Sequence, residues 1–266
     1  MELTSMAGWL NESFAAYDYS ILGALHLAAE YAGAVLTPLM KLVTLIGEKG
    51  LLMFLIALVL MCFSRTRRIG VCMFGAVCCG ALITNVILKD LVARPRPFEA
   101  TDLYRQWWQA VGAPAEDDFS FPSGHVTAIT AGMSALCMAS RRRHKALLRA
   151  AAVVAVLLMA LSRNYLMAHY PSDVLFAAGI GLFSALVAWG ITLLIFRILE
   201  DNDDLPFCAF VLDFDVRDLG ELVRPRPKAR RDKPAAHGAS SSAETPRPPA
   251  PAKPKKSSSR GYQGKH

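Results

Sequence analysis

Three short stretches of the sequence combine histidine, cationic and small polar residues in a way that suits phosphate chemistry. They are KDLVARPRP at 89–97, FPSGH at 121–125 and SRNYLMAHYPSD at 162–173. Cations stabilise the charge on a phosphoryl group that is being transferred. An imidazole can serve as a nucleophile or as an acid. Each stretch therefore has a functional interpretation beside a purely structural one.

The first stretch supplies two cations. Lys89 and Arg96 are seven residues apart, about two helical turns, so we expect them to start on one face of a helix. Pro95 and Pro97 then force the chain out of the helix. The cations would hold an anion, or they would simply reach for lipid headgroups from a helix end. The same letters RPRP recur at 224–227, where nothing suggests a site, so the tetrapeptide alone carries little weight.

The second stretch opens an apolar helix. Pro122 suits a first helical turn, Ser123 offers a hydroxyl, and Gly124 lets a ligand approach the backbone. Free amides and the dipole make a helix N-terminus an anion site, and His125 follows immediately. The alternative is an ordinary helix cap followed by a packed histidine.

The third stretch brings a histidine near a carboxylate. Pro171 should start a helix, which puts Asp173 in its first turn and His169 four residues earlier, within reach of that carboxylate. An aspartate beside an imidazole fixes the tautomer and stabilises the charged ring. Arg163 adds a third cation. The alternative is a capping aspartate beside an interfacial histidine.

The elements that must position these residues are apolar. Of the 266 residues, 53% are hydrophobic, and they cluster in runs such as LLMFLIALVLMCF. A helix that spans a bilayer needs roughly 20 such residues. We predict an all-α fold, a bundle of six transmembrane helices, with the helices near 21–46, 50–64, 69–93, 123–140, 147–168 and 171–198.

The basic turns predict an orientation. SRTRR follows the second helix and RRRHK follows the fourth, so both turns belong on the cytoplasmic side. Both termini then lie inside, and all three polar stretches meet on the outer side. The acidic start MELTSMAGWLNE has no apolar signal region, so no cleaved signal is expected. Lys89, Arg96 and Arg163 would surround one point there.

Outside the helices we expect an interfacial segment at 1–20, a membrane-embedded domain at 21–199, a short cytoplasmic segment at 200–222, and a disordered, basic, proline-rich tail at 223–266. Much of the net charge of +7 lies in that tail. We expect the lipid bilayer and a lipid phosphate as partners and no nucleic acid, and leave the oligomeric state open.

The three stretches read Lys-x6-Arg-Pro, then Pro-Ser-Gly-His, then Ser-Arg-x5-His-x3-Asp. This pattern resembles the signature of the type 2 phosphatidic acid phosphatase and vanadium haloperoxidase superfamily. All three blocks are present, in order, and the resemblance covers roughly residues 20 to 198.

The resemblance implies specific roles. His169 would attack phosphorus and form a phosphohistidine, with Asp173 orienting and activating it. His125 would protonate the leaving group and then help to activate water. The phosphate oxygens would be held by Lys89, Arg96, Arg163, Ser123 and the amide of Gly124. We expect no cofactor and no metal, because no acidic cluster with metal spacing occurs in the outer loops.

The setting suggests the substrate. A site at headgroup depth on the outer side of a bacterial inner (plasma) membrane would receive a lipid phosphate, and our first choice is undecaprenyl diphosphate. Phosphatidic acid, phosphatidylglycerol phosphate and lipid A phosphate remain open, as does transfer to an acceptor lipid. Other classes are a vanadate-dependent haloperoxidase, against which the apolar runs argue, and a non-enzymatic transporter or scaffold.

Overall fold

The computed structural model describes residues 3–140 and 145–218. Within those ranges every regular element is a helix and there is no strand, which confirms the all-α prediction for them. The tail at 223–266 and most of the basic turn RRRHK lie outside the described residues, so the predictions made for them stand as predictions.

The chain forms eleven α-helices within the described ranges. They are α1 (Ser5–Ser13), α2 (Ala15–Ile46), α3 (Leu51–Met61), α4 (Arg67–Ala81), α5 (Lys89–Val92), α6 (Pro97–Ala100), α7 (Asp102–Val111), α8 (Gly124–Ala139), α9 (Lys145–Tyr165), α10 (Pro171–Asp201) and α11 (Pro206–Asp213). A 3₁₀ turn, Glu48–Gly50, precedes α3, and a π-helical segment, Leu82–Leu88, joins α4 to α5.

Four of the helical stretches are long and apolar enough to cross a membrane. They are Ala15–Ile46, Arg67–Ala100, Lys145–Tyr165 and Pro171–Asp201, and α3 and α8 are shorter apolar helices. Large apolar side chains point outward from them, for example Leu157, Phe183 and Leu194. An outer surface of this kind suits lipid rather than water. The molecule is a multi-pass membrane protein.

The N-terminal part is more helical than the sequence suggested. Helix α2 begins at Ala15 rather than near residue 21, and it bends where Ala32 leaves helical geometry, six residues before Pro38. The segment predicted to be interfacial contains α1, whose first turn is capped by the hydroxyl of Thr4. The helix therefore bends at Ala32 but continues through Pro38 to Ile46.

The loop after the third predicted helix contains α6 and α7. On α7, the ring of Trp107 is buried and stacks on His26 with centroids 4.6 Å apart, while Trp108 stacks on Phe98 at 4.9 Å. Both tryptophans therefore pack against neighbouring aromatic side chains of the protein.

The basic turn after α3 packs against the segment after α10. The Nε of Arg67 donates to the carbonyl of Met61 at 3.0 Å, and its other nitrogens bind the Val211 and Phe214 carbonyls. Arg68 pairs with Glu200. The ends of α3 and α10 therefore share one side of the bundle, and the assignment of that side to the cytoplasm stays a prediction.

The core lies where α8 packs between α4 and α10. Small residues allow close approach of helices in a bilayer. At Gly181 of α10 a Cβ would lie 2.7 Å from both the Thr127 carbonyl oxygen and Thr130 Cβ of α8. The α8–α10 contact also fixes the N-termini of the two helices that carry His125 and Asp173.

We predict that Gly181→Ala destabilises the fold by about 1–3 kcal/mol, because the added methyl meets backbone that has no room to move. Gly179→Ala is the matched control, since a Cβ there meets nothing within 4 Å. Thermal unfolding of both variants in detergent measures the difference. Equal melting temperatures for the two variants would contradict this account of the α8–α10 contact.

Candidate active site

A cavity of about 1060 Å³ opens between α2, the π-helical segment, the loop before α8, and the ends of α8 and α9. Five of the predicted site residues line it, Lys89, Gly124, His125, Arg163 and His169. The other three, Arg96, Ser123 and Asp173, are completely buried beside or behind it. The structure thus brings parts of all three sequence stretches to one place.

The imidazole of His169 has a defined orientation. It is buried, and its Nδ1 lies 2.6 Å from the backbone carbonyl oxygen of Ser120. A carbonyl oxygen only accepts, so Nδ1 carries the proton and the neutral ring keeps its lone pair on Nε2. Burial, together with the nearby cations Arg96, Arg163 and Lys89, holds the pKa of His169 well below its ordinary value. The ring is therefore neutral, with Nε2 able to act as a nucleophile.

Arg96 lies at the nucleophilic atom. Its Nη1 is 3.5 Å from Nε2 of His169 and donates to the Ala168 carbonyl at 2.7 Å. The expected geometry for this residue was wrong in one respect. The helix that carries Lys89 ends at Val92 because Ala93 adopts a left-handed conformation, and Arg96 caps the next helix. Lys89 and Arg96 are therefore brought together by the turn between α5 and α6, not by lying on one face of a single helix.

Asp173 has a different contact from the one expected. Pro171 begins α10 as predicted, so Asp173 falls in its first turn, where Oδ2 accepts from the Tyr170 amide at 3.0 Å. The same oxygen accepts from the Ser120 hydroxyl at 2.5 Å. The expected direct contact with His169 is absent from the described contacts, since the Ser120 carbonyl occupies the Nδ1 position. Asp173 is connected to the histidine through Ser120, whose hydroxyl donates to Asp173 and whose carbonyl accepts from His169.

Two buried residues that the sequence analysis missed hold Asp173 in place. Arg94 Nη1 binds Oδ1 of Asp173 at 2.5 Å, and Arg94 Nη2 binds Asp18 of α2 at 2.9 Å. The Ser172 amide and hydroxyl both donate to Asp18 at 2.8 Å. Arg94 lies in the same RPRP tetrapeptide as Arg96. Its position two residues before a predicted phosphate-binding arginine was the signal in the sequence that could have identified it.

Three buried polar atoms around the site have no hydrogen-bond partner among the described residues. They are Ser123 Oγ, His125 Nε2 and Arg163 Nε. Buried polar groups normally find partners, so unsatisfied ones call for an explanation. All three belong to predicted site residues, and a phosphate in the cavity would bring acceptor oxygens to them. The nearest carboxylate to His125 is Glu48, with Oε2 3.7 Å from Nε2.

Three acidic residues of the loop before α8, Glu116, Asp117 and Asp118, line the same cavity, and two of them pair with its cations. Glu116 pairs with Arg163 and, at 2.7 Å, with Arg96, while Asp118 pairs with Lys89 and Arg96. Burial alone would raise the pKa of each carboxyl, but the adjacent cations lower both values below the ordinary ones. Both groups are therefore anionic at neutral pH.

The part of the chain that the structure describes holds no group of three or more His, Cys, Asp or Glu side chains with metal-binding geometry. The prediction that the reaction needs no metal remains a prediction. The residues that the structure describes direct three cations at one volume, with the neutral imidazole of His169 at its wall.

Comparisons with known proteins agree with this geometry. A family model for the PAP2 superfamily matches residues 69–197. A Sulfolobus acidocaldarius protein named undecaprenyl-diphosphatase is 28% identical over 142 residues, which cover 53% of this chain and 64% of that protein. This chain therefore aligns with less than two thirds of that relative's length.

A solved structure has a similar fold. It is the crystal structure of a transmembrane PAP2 type phosphatidylglycerolphosphate phosphatase from Bacillus subtilis, with a TM-score of 0.55 and 24% identity. The match covers 70% of this chain and 90% of that chain. At 24% sequence identity, this similarity is evidence for a shared fold alone.

We predict that Arg94→Met lowers the free energy of unfolding by about 3–5 kcal/mol, because Asp18 and Asp173 would remain buried without their cation. Arg105→Met is the control, since its side chain is half exposed and its pair with Asp102 spans 3.6 Å. Chemical unfolding in detergent measures both variants. Wild-type stability in Arg94→Met would show that Arg94 does not hold this cluster together.

Proposed function

Because the chain belongs to the PAP2 superfamily, we propose that it is an integral membrane phosphatase that hydrolyses a lipid phosphate or diphosphate through a phosphohistidine. The observation that supports this best is the orientation of His169, whose Nδ1 is held by the Ser120 carbonyl while Nε2 faces Arg96. This arrangement directs a lone pair at the position where cations would hold phosphorus.

In the first step, the His169 Nε2 lone pair attacks phosphorus, and the bond from phosphorus to the lipid oxygen breaks. The departing alkoxide or phosphate takes a proton from His125. Lys89, Arg96 and Arg163 hold the phosphoryl oxygens, helped by the Ser123 hydroxyl and the Gly124 amide. Phosphoryl transfer depends mainly on positioning and charge stabilisation, which these groups provide.

In the second step, water attacks the phosphohistidine, and His125, now neutral, accepts a proton from the water. The phosphorus–nitrogen bond breaks, and the electron pair returns to Nε2. As the His169 ring becomes positively charged in each cycle, its Nδ1–H continues to donate a hydrogen bond to the Ser120 carbonyl oxygen. Asp173 accepts a hydrogen bond from the Ser120 hydroxyl and so helps to fix the position of the Ser120 carbonyl. Its carboxylate also adds negative charge near the ring.

The substrate we propose is undecaprenyl diphosphate. The Sulfolobus acidocaldarius relative carries the name undecaprenyl-diphosphatase, which supports this choice at 28% identity. Phosphatidylglycerol phosphate, the lipid in the name of the Bacillus subtilis enzyme with a similar fold, is the second candidate. Phosphatidic acid, lipid A phosphate and transfer to an acceptor lipid would use the same pocket.

We also propose six membrane crossings, with α3 and α8 as the two short ones beside the four long helices. The site then faces the outer side of the inner membrane, and the termini lie in the cytoplasm. The contacts between the basic turn after α3 and the segment after α10 support placing these two parts of the chain on the same side of the membrane. A transporter is less consistent with the cavity, whose charges gather at one end of the bundle.

We predict that the purified protein releases phosphate from at least one of undecaprenyl diphosphate, phosphatidylglycerol phosphate and phosphatidic acid in detergent containing a chelator. His169→Ala should lower turnover at least about a thousandfold, because the nucleophile is absent. His26→Ala, in which the lost ring stacks on Trp107 outside the cavity, should retain turnover. Release abolished by the chelator would reject metal independence, and a fully active His169→Ala would reject the phosphohistidine.

We predict a bell-shaped pH profile. Burial and nearby cations lower the pKa of His169, so it stays neutral down to pH values below the ordinary histidine pKa of about 6.5. The acidic limb of kcat/KM should therefore lie below that value, where protonation removes the nucleophile. The basic limb of kcat should reflect loss of the His125 proton and should disappear in His125→Ala. An acidic limb above the ordinary histidine pKa of about 6.5, or a basic limb that persists in His125→Ala, would contradict the two roles.

A further inference from the structure

All three cations that would bind phosphate are paired with carboxylates of one loop. Glu116 Oε2 lies 2.7 Å from Arg96 Nη2 and also pairs with Arg163, and Asp118 bridges Lys89 and Arg96. Carboxylate oxygens thus lie at the positions that phosphate oxygens would take. A phosphate group that takes the paired nitrogens of the three cations must displace these carboxylates.

The two partners in each pair differ in their access to water. The side chains of Lys89, Arg96 and Arg163 are 9%, 0% and 2% exposed, whereas those of Glu116 and Asp118 are 27% and 54% exposed. The carboxylates can therefore rotate into water, while the guanidinium groups cannot leave. The Asp118 backbone stays in place meanwhile, because its carbonyl accepts from Arg96 Nε at 2.7 Å.

The charges set a condition on the incoming group. Three cations and two carboxylates leave a net charge of about +1, and a buried cation stripped of its partner is strongly destabilising. A phosphomonoester brings a charge of about −1.5 to −2 and three acceptor oxygens, enough to replace both carboxylates. A phosphodiester brings one negative charge and two free oxygens, so it can replace only one of them.

This condition matters because of where the site lies. A cavity at headgroup depth is surrounded by bilayer phospholipids, most of which are phosphodiesters, at concentrations far above that of a lipid monoester or diphosphate. Without a barrier they would occupy the cations. We propose that Glu116 and Asp118 are specificity-determining residues that exclude phosphodiester headgroups and admit only a terminal phosphate group with about two negative charges. This inference rests on the proposed function.

Equilibrium binding tests it without requiring turnover. The probes are inorganic phosphate and dimethyl phosphate, a diester, at a pH of about 8, where a phosphomonoester is a dianion. The proteins are the wild type, Glu116→Gln with Asp118→Asn, and Asp117→Asn. Asp117 is the matched control, because it is an exposed carboxylate of the same loop with no ion pair among the described residues.

In the wild type, phosphate should bind at least about tenfold more tightly than dimethyl phosphate. In the double variant, the affinity for dimethyl phosphate should rise at least about tenfold, because the diester no longer competes with a fixed negative charge. Asp117→Asn should bind both probes like the wild type. The two single variants, which keep one carboxylate each, should lie between the wild type and the double variant.

Equal affinity for dimethyl phosphate in the wild type and the double variant would overturn the proposal. So would an equal gain in Asp117→Asn, which would indicate a general effect of loop charge. Absence of phosphate binding in the double variant would also overturn it, since an emptied pocket should accept the anion.

A second experiment uses the wild type's lipid substrate with phosphatidylglycerol, a phosphodiester, as competitor in mixed micelles. Turnover by the wild type and by Asp117→Asn should be unaffected, while the double variant should be inhibited. Inhibition of the wild type to the same extent as the double variant would count against the proposal. If the wild type hydrolyses no lipid phosphate, the proposed function fails, and the binding experiment still decides whether the carboxylates exclude diesters.

Discussion

A single buried guanidinium, that of Arg94, connects the parts on which the candidate site depends. It binds Asp18 from α2 and Asp173 from α10, and its charged group lies 3.9 Å from the centre of the Tyr170 ring. Asp173 in turn accepts from the Ser120 hydroxyl, and the Ser120 carbonyl holds His169. Removing a charged group from water is costly unless it is fully paired, so these contacts depend on one another. The orientation of the His169 ring depends on the last of these contacts.

The apolar helices explain why so much charge can be gathered at one place. Helices α4, α8 and α10 pack through small residues and leave their ends at the cavity, so cations from three segments converge although the bundle interior is apolar. Such a cluster of like charges needs anions nearby. Glu116 and Asp118 supply these anions on the side of the cavity that is open to water, and Asp173 supplies one on the buried side. In our proposal, the two carboxylates on the open side can be displaced by a phosphate, whereas Asp173 stays in place.

The spacing of residue types predicted Lys89, Arg96, His125 and Arg163 near one another, because proline and glycine mark where helices begin and ionisable residues at helix ends in apolar segments need a reason. It did not predict Arg94, since the tetrapeptide RPRP also occurs where no site is suspected. Ser120 acts through its main-chain oxygen, which every residue possesses, so no pattern of letters identifies it. In the sequence, the carboxylates of EDDF look like those of any solvent-exposed loop. Their role becomes visible only in the folded structure, which places two of them beside buried arginines.

The π-helical segment between α4 and α5 joins the apolar helix α4 to Lys89, which lines the cavity of the candidate site. Such segments hold one more residue in a turn than an α-helix does, and each residue rotates a helix by roughly 100°. The direction in which Lys89 points therefore depends on that additional residue. Removing one residue from this segment would leave the helix before it unchanged and turn the lysine by roughly 100° away from the cavity, so the position of this cation depends on the irregular geometry of the segment.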